Sequence, residues 1–374
     1  MRKSLLLAAA PLALLLTAVP AQPQASAAIA AGKAQPSALA PSEIVAAAPK
    51  GEWTAIAKTD LLVMELAPDA KGKPRRVVIQ LMPPPFSQGW IGNIRKLAAA
   101  HWWDGMSVNR VQDNYVVQWG DPNADDKAKA KPLPAGMATM AESEYVVAAM
   151  AVAEAEATTI DLGEINPKDG AATFERVIAG AAAKSQEQGR LARISIDSTQ
   201  TSKTKDGWHE RDSYAEWVEI HRGWPFAAAG TGEQTQFWPV HCYGMVGVGR
   251  DLSPNTGSGA ELYVVIGHAP RHLDRNIALV GRVIEGIEYL SSLPRGHGAL
   301  GFVDPAQGDE RTPIQSIHPG SEVADLPAYE YLSTESASFA KYADARANRK
   351  DAFFIRPAGG ADICNIPVPV RRVK

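Results

Sequence analysis

Apolar and polar positions sort the chain from Trp53 onward into strand-like and helix-like stretches. Trp53–Leu66 mixes apolar and β-branched residues (Ile56, Leu61, Leu62, Val63, Met64, Leu66), which predicts a strand. After a turn at Pro68–Pro74, Arg75–Met82 repeats that signal through Val77, Val78, Ile79 and Leu81. Pro83–Pro85 breaks the chain. From Phe86 to His101 the apolar side chains fall at Trp90, Ile91, Ile94, Leu97 and Ala98, the spacing of a helix. Asp104–Gly105 turns into two short β-like runs, Met106–Val111 and Tyr115–Trp119, and Asp121–Leu133 is a polar loop. Gly244–Val248 and Leu262–Ile266 restore the β signal, Gly281–Leu290 predicts a strand or short helix, and Ser336–Arg349 predicts a helix. No internal repeat is present.

Between these β-rich blocks, residues from about 123 to 234 read as an α-rich insertion, helix-prone at Met140–Ala157. The stretch from 301 to 374 reads as a C-terminal extension packed on the core, leaving 52–300 as the main domain. The N-terminus differs. Arg2 and Lys3 precede an apolar run from Leu5 to Val19, with small residues at Ala18–Ala21 and Ala25–Ala27. That is the anatomy of a secretory signal peptide over residues 1–27, with cleavage after Ala21 or Ala27. The run is shorter than the ~20 residues that span a bilayer, so no stable membrane insertion is expected after cleavage. Residues 28–51 are Ala/Pro-rich and are expected to be a disordered leader. Export implies the periplasm, or secretion where there is no outer membrane.

Charge is nearly balanced, with 38 basic against 41 acidic residues and a net charge of −3, which argues against nucleic acid as a partner. Hydrophobic residues make up 45% of the chain, enough to build a core. Two cysteines rule out a Cys-only zinc site, and in an exported protein Cys242 and Cys364 form a candidate disulfide that would pin the tail to the core. Pro270 denies His268 and His272 the helix that would align them on a metal. Gly296-His-Gly298-Ala-Leu-Gly301 satisfies G-x-G-x-x-G, but Asp304-Pro305 blocks a following helix, so it reads as a plain loop. G-x-S-x-G, H-E-x-x-H and Walker motifs are absent from the sequence.

Several segments in series resemble the cyclophilin-type peptidylprolyl isomerases. Trp103-Asp-Gly-Met-Ser-Val-Asn-Arg110-Val111 is similar to that family's Y-x-G-x-x-F-H-R-V, and Tyr115-Val-Val-Gln118-Trp-Gly-Asp121 to its F-M-x-Q-G-G-D. Gly244–Arg250 resembles G-x-L-S-M-A-R, and Pro254-Asn-Thr256 through Glu261-Leu-Tyr263-Val264 resembles P-N-S-x-x-S-Q-F-F-I. His272-Leu-Asp274 and Val280–Gly286 match the closing motif. The resemblance implies a mainly β fold, a cyclophilin-like closed eight-stranded barrel capped by helices. It implies cis–trans isomerisation of X–Pro bonds in unfolded or maturing exported proteins, with no cofactor and no metal.

Residue by residue, the resemblance makes Arg110 the catalytic arginine and gives Tyr115, Val116, Tyr263 and Leu273 to the proline pocket. It assigns Gln118, Glu261, Gly249 and Arg250 to holding the substrate chain, and His272 and Ile277 to the rim. Tyr115 and Tyr263 stand where the family carries phenylalanines, Trp119 where it has a glycine, and Glu261 where it has a glutamine. A carboxylate only accepts hydrogen bonds, so Glu261 would either orient Arg110 or pair with it and mute it. In the second case the chain would be a weakly active or inactive peptide-binding module or chaperone.

Overall fold

The computed structural model describes residues 38–148, 151–152, 212–231 and 234–373. The expected signal peptide and the first ten residues of the leader, 28–37, therefore lie outside the described residues, as does the greater part of the insertion.

Eight antiparallel strands close into a barrel: β2 (Leu61–Leu66), β3 (Arg75–Leu81), β4 (Ser107–Val111), β5 (Val116–Gly120), β10 (Met245–Val248), β11 (Leu262–Val265), β12 (Leu279–Glu285) and β13 (Thr312–Pro319). Around the barrel they run β10-β11-β5-β4-β13-β2-β3-β12. Alternation along each strand divides inner from outer face. Leu62, Met64, Leu66, Val117, Trp119, Leu262 and Val264 point into one central core, joined by Trp90, Ile91, Ile94 and Leu97 of helix α2 (Gln88–Ala99). On the outer face Leu61, Val63 and Val78 are buried as well, beneath Leu326 and Tyr329. This second cover explains why β2 reads as an unbroken apolar run rather than an alternating one.

The cover is a three-stranded sheet of β1 (Trp53–Ile56), β14 (Tyr329–Leu332) and β15 (Val370–Arg372). Two expectations are corrected here. The leader does not run unstructured to residue 51: Pro41–Ala47 forms helix α1, with proline at its first turn and the Glu43 carboxylate accepting from the Ala40 amide at 2.7 Å. Ile44 and Val45 pack on the core, and α1 lies against helix α4 (Ala337–Ala347). The segment after 301 is likewise not wholly an extension, because β13 sits between β4 and β2 and completes the barrel. Gly281–Leu290 proves to be both forms in turn, strand β12 followed by the short helix α3 (Ile287–Ser291).

The insertion also differs from expectation. Its described part supplies β6 (Val147–Ala148), β7 (Trp217–His221) and β8 (Trp224–Ala229) to a four-stranded antiparallel sheet ordered β6-β9-β8-β7, whose β9 (Gln236–Pro239) lies just past the expected boundary. The β7–β8 hairpin docks through Gly223, whose φ of +82° suits glycine and whose α-carbon lies against the Tyr331 ring. The Gly223 carbonyl accepts from Arg282 Nη1 at 2.6 Å, and Arg282 stacks over Trp224 with its Nε bonded to Gln80 Oε1 at 3.0 Å. Burial lowers the Arg282 guanidinium to about 10. Among the described residues, no helix is long and apolar enough to cross a membrane.

Candidate active site

A β-bulge aims the arginine. Between β4 and β5 the register slips after Val108↔Trp119, so that Arg110 faces Gln118 rather than Val117. Val108 and Val111 thereby both stay in the core while the Arg110 side chain emerges on the outer face of the barrel. There its Nε donates to the Leu300 carbonyl at 2.8 Å and Nη1 to Gln118 Oε1 at 3.3 Å, while Nη2 donates to Gln112 Oε1. The guanidinium also lies over two rings, Tyr115 at 5.5 Å and Phe302 at 5.4 Å. A guanidinium has five N–H donors, so two remain for a ligand after these three bonds. Half-burial lowers its pKa, yet an arginine keeps its charge at any physiological pH.

The loop that clamps it is the glycine-rich segment around 296–302. Gly296 N donates to the Val111 carbonyl at 3.1 Å, and Gly301, with φ of +78°, sits so close to Gln112 that a β-carbon would lie 2.7 Å from its Cα. The segment holds no phosphate cradle; it delivers the Leu300 carbonyl and the Phe302 ring to Arg110.

Beside the arginine, Val116, Tyr263 and Val265 form a separate apolar cluster on the outer face, with Tyr115 and Ile277 packed against it. Of the expected pocket residues Tyr115, Val116 and Tyr263 are thus brought together, joined by Ile277, which was expected at the rim, and by Val265, which was not expected. Leu273 is not a member of that cluster. It sits half-buried beside the exposed His272 on a 3₁₀ turn over Arg271–Leu273.

Glu261 lies in a slot between two glycines. A β-carbon on Gly120 would come 2.6 Å from Glu261 Cγ, and one on Gly249 would come 3.0 Å from its Cβ. Gln118 hydrogen-bonds the carboxylate, and no ion pair joins Glu261 to Arg110. The arginine is thus not neutralised by direct contact. The Gly249 amide donates to the Glu261 carbonyl at 2.9 Å, and the Arg250 guanidinium is tied to the carbonyls of Asn276 (3.0 Å) and Asp251 (2.6 Å). A cavity of about 550 Å³ opens next to this slot, lined by Asn109, Asp121, Arg250, Glu261, Phe302 and Arg311 among others.

Burial pushes the Glu261 carboxyl above its ordinary range, against the Gln118 hydrogen bond; Asp125, Asp251 and Asp121 push it further up. A carboxyl raised in this way adds to stability only below its unfolded pKa, and the contribution is lost as pH rises through the folded value. Glu261→Gln is therefore expected to raise Tm at pH 7, with the gain vanishing near pH 4. Thermal melts at the two pH values check this; an equal gain at both would contradict it.

Cys242 and Cys364 are joined by a disulfide that closes a separation of 122 residues. Elsewhere, His101, His318 and Glu322 offer metal-binding groups within reach of one another. The two imidazoles stack nearly parallel at 3.9 Å, with Nε2 of His101 on Glu322 and Nε2 of His318 on Asp104, both at 2.9 Å. Both imidazoles are thus engaged with carboxylates.

An anchored guanidinium thus stands beside an apolar cluster on the outer wall of a closed barrel. Residues 89–305, more than half of the chain, match the family model for cyclophilin type peptidyl-prolyl cis-trans isomerases. The chain belongs to that family and is a peptidyl-prolyl cis–trans isomerase. Among solved structures, cyclophilin AquaCyp293 from Hirschia baltica is 18% identical, with a TM-score of 0.53, covering 86% of this chain and 94% of its own. A Cryptosporidium parvum cyclophilin type peptidyl-prolyl isomerase, crystallised in the presence of the dipeptide Ala-Pro, is 10% identical with a TM-score of 0.32. It covers 69% of this chain and 98% of its own. The search of curated proteins returned no match.

Proposed function

We propose that this isomerase acts on X–Pro bonds of exported polypeptides, seating the proline ring on the Tyr115–Val116–Tyr263–Ile277 surface and directing the Arg110 fork at the twisting amide. The barrier to rotation about an X–Pro bond is near ~20 kcal/mol because conjugation must be broken. As the bond twists, the prolyl nitrogen regains a lone pair and the carbonyl loses its partial single-bond character. A fixed N–H donor meets that lone pair only in the transition state, which is where binding accelerates a reaction. The observation that carries this reading is the Arg110 guanidinium, held by three acceptors with two N–H groups left over, beside the apolar cluster. Gln118, Glu261, Gly249 and Arg250 would hold the chain on the amino side of the proline, with His272 and Leu273 at the rim.

The basic start, apolar run and small-residue cleavage sites of residues 1–27 support export, and a disulfide suits an oxidising compartment such as the periplasm. Titration with a short Ala-Pro peptide is expected to shift the NMR signals of Val116, Tyr115 and Ile277; shifts confined to other surfaces would contradict the pocket assignment. Expressed with its leader in a host with two membranes, the protein should be recovered from the periplasm, shortened by the signal. Recovery from the cytoplasm at full length would contradict export.

A further inference from the structure

Tyr263 lies on β11 directly opposite Gly247 of β10, both on the outer face. Its ring leans across the glycine so closely that a β-carbon there would meet the hydroxyl at 2.3 Å and Cζ at 2.4 Å. A phenylalanine would have no reason to adopt that pose. The tyrosine has one, because its hydroxyl lies 2.8 Å from Nε2 of His241, which is fully buried. Nδ1 of the same imidazole lies 2.8 Å from Asp274 Oδ1, which also accepts from the His241 amide at 3.0 Å. The other carboxylate oxygen accepts from Arg271 Nε at 2.6 Å. Arg271 in turn forks onto Asp212 at 2.7 and 2.9 Å and lies 5.0 Å over the Tyr214 ring. His241, Asp274, Arg271 and Asp212 are each no more than 4% exposed at the side chain.

The chemistry of the row sets its direction. Arg271 Nε fixes one oxygen of Asp274, and the other takes the Nδ1 proton of a histidine whose charged form burial disfavours. Nε2 is then bare and can only accept, so the Tyr263 hydroxyl donates to it. Asp212 and Tyr214 belong to the stretch where the insertion rejoins the described chain, so this row of contacts ties the insertion to the pocket.

We propose that His241 is a positioning residue of the proline pocket: it captures the Tyr263 hydroxyl, pins the ring across Gly247 and thereby sets the surface on which the proline rests, with Asp274, Arg271 and Asp212 fixing the histidine from behind. This rests on the reading that the Tyr115–Val116–Tyr263–Ile277 cluster receives the proline. It accounts together for a tyrosine where the family carries phenylalanine and for a glycine where its motif has serine.

The test compares wild type with Tyr263→Phe, which keeps the ring, and with Asp274→Asn, on an Ala-Pro peptide whose exchange is followed by NMR. In wild type, imidazole ¹⁵N shifts should show His241 protonated at Nδ1 and bare at Nε2 at pH 7. Tyr263→Phe should raise KM about tenfold with kcat within twofold, since Arg110 is untouched. Asp274→Asn should lose the tautomer signature and raise KM in the same direction. In the Tyr263→Phe background, Gly247→Ala should cost less than in wild type, because the ring is no longer pinned. A Tyr263→Phe protein with wild-type KM, or one in which kcat and KM change only with the folded fraction, would overturn the proposal. If the peptide shifts Ile277 and Val116 while Tyr263→Phe leaves KM unchanged, the pocket reading stands and the positioning role alone fails. If the peptide shifts neither residue, both fail.

Discussion

Arg110→Ala is expected to lower the rate of prolyl exchange on a short Ala-Pro peptide by about 10²–10³-fold, the range seen when one preorganised donor is removed from a transition state. The loss should fall on kcat, because the proline surface of Val116, Tyr263 and Ile277 does not include the arginine. The fold should survive, since Arg110 is half-buried on the outer face and its partners are a loop carbonyl and two side-chain amides. Arg110→Lys should recover little: one ammonium cannot reach Leu300, Gln118, Gln112 and a substrate at once from a planar fork. Gln112→Ala would leave the arginine with one anchor fewer and is expected to fall between wild type and Arg110→Ala. NMR exchange with folding checked by circular dichroism measures all three. An Arg110→Ala protein retaining more than a third of the wild-type rate would remove the arginine from the mechanism.

The second large effect concerns the disulfide. In the chain-entropy account, closing a loop across 122 residues restricts the unfolded chain by roughly 5 kcal/mol. At about 1.3–2 °C per kcal/mol for a protein of this size, Cys242→Ala/Cys364→Ala should lower Tm by about 6–10 °C. The double variant is the right comparison, because it leaves no thiol to exchange. Reducing the wild-type protein should give the same melting temperature as the variant. The location adds a functional consequence. Cys242 follows His241 and precedes β10, and Cys364 lies in the tail close to the His241 carbonyl. The reduced protein is therefore expected to lose affinity for peptide before it loses its fold. A Tm change under about 3 °C would contradict the stabilising role.

The strands that carry the site were legible because sequence pattern and topology agree there. In β5 and β11 the residues alternate cleanly between core (Val117, Trp119, Leu262, Val264) and outer face (Val116, Gln118, Tyr263, Val265). The strand β13 was not legible for a physical reason. It contains Pro313 and Pro319, and a register slip between Ile314 and Ser316 puts Ile314 and Ile317 on one face, which breaks the two-residue period. The helix α1 was hidden by composition, since its proline stands at the one helical position that tolerates it. In the insertion, alanines suggested helix, whereas Trp217, Trp224, Phe226 and Phe237 settle the described part into a sheet.

At the site, Arg110 and Gln118 could be read from their motif, but their partners could not. Gln112 lies just past β4, two residues from Arg110, but Leu300 and Phe302 reach the guanidinium only through the folded loop after α3, and no local signal marks His241 as anything but a histidine beside a cysteine. Its role depends on Tyr263, Asp274 and Arg271, which the fold brings together from β11 and the turn that follows it.

The most direct test of the account is NMR exchange spectroscopy on an Ala-Pro peptide in large excess over the folded wild-type protein. Cis–trans exchange peaks should appear at catalytic protein concentration and scale with it. A peptide that shifts Tyr115 and Val116 on binding, yet exchanges no faster than in buffer, would contradict it and leave a peptide-binding barrel.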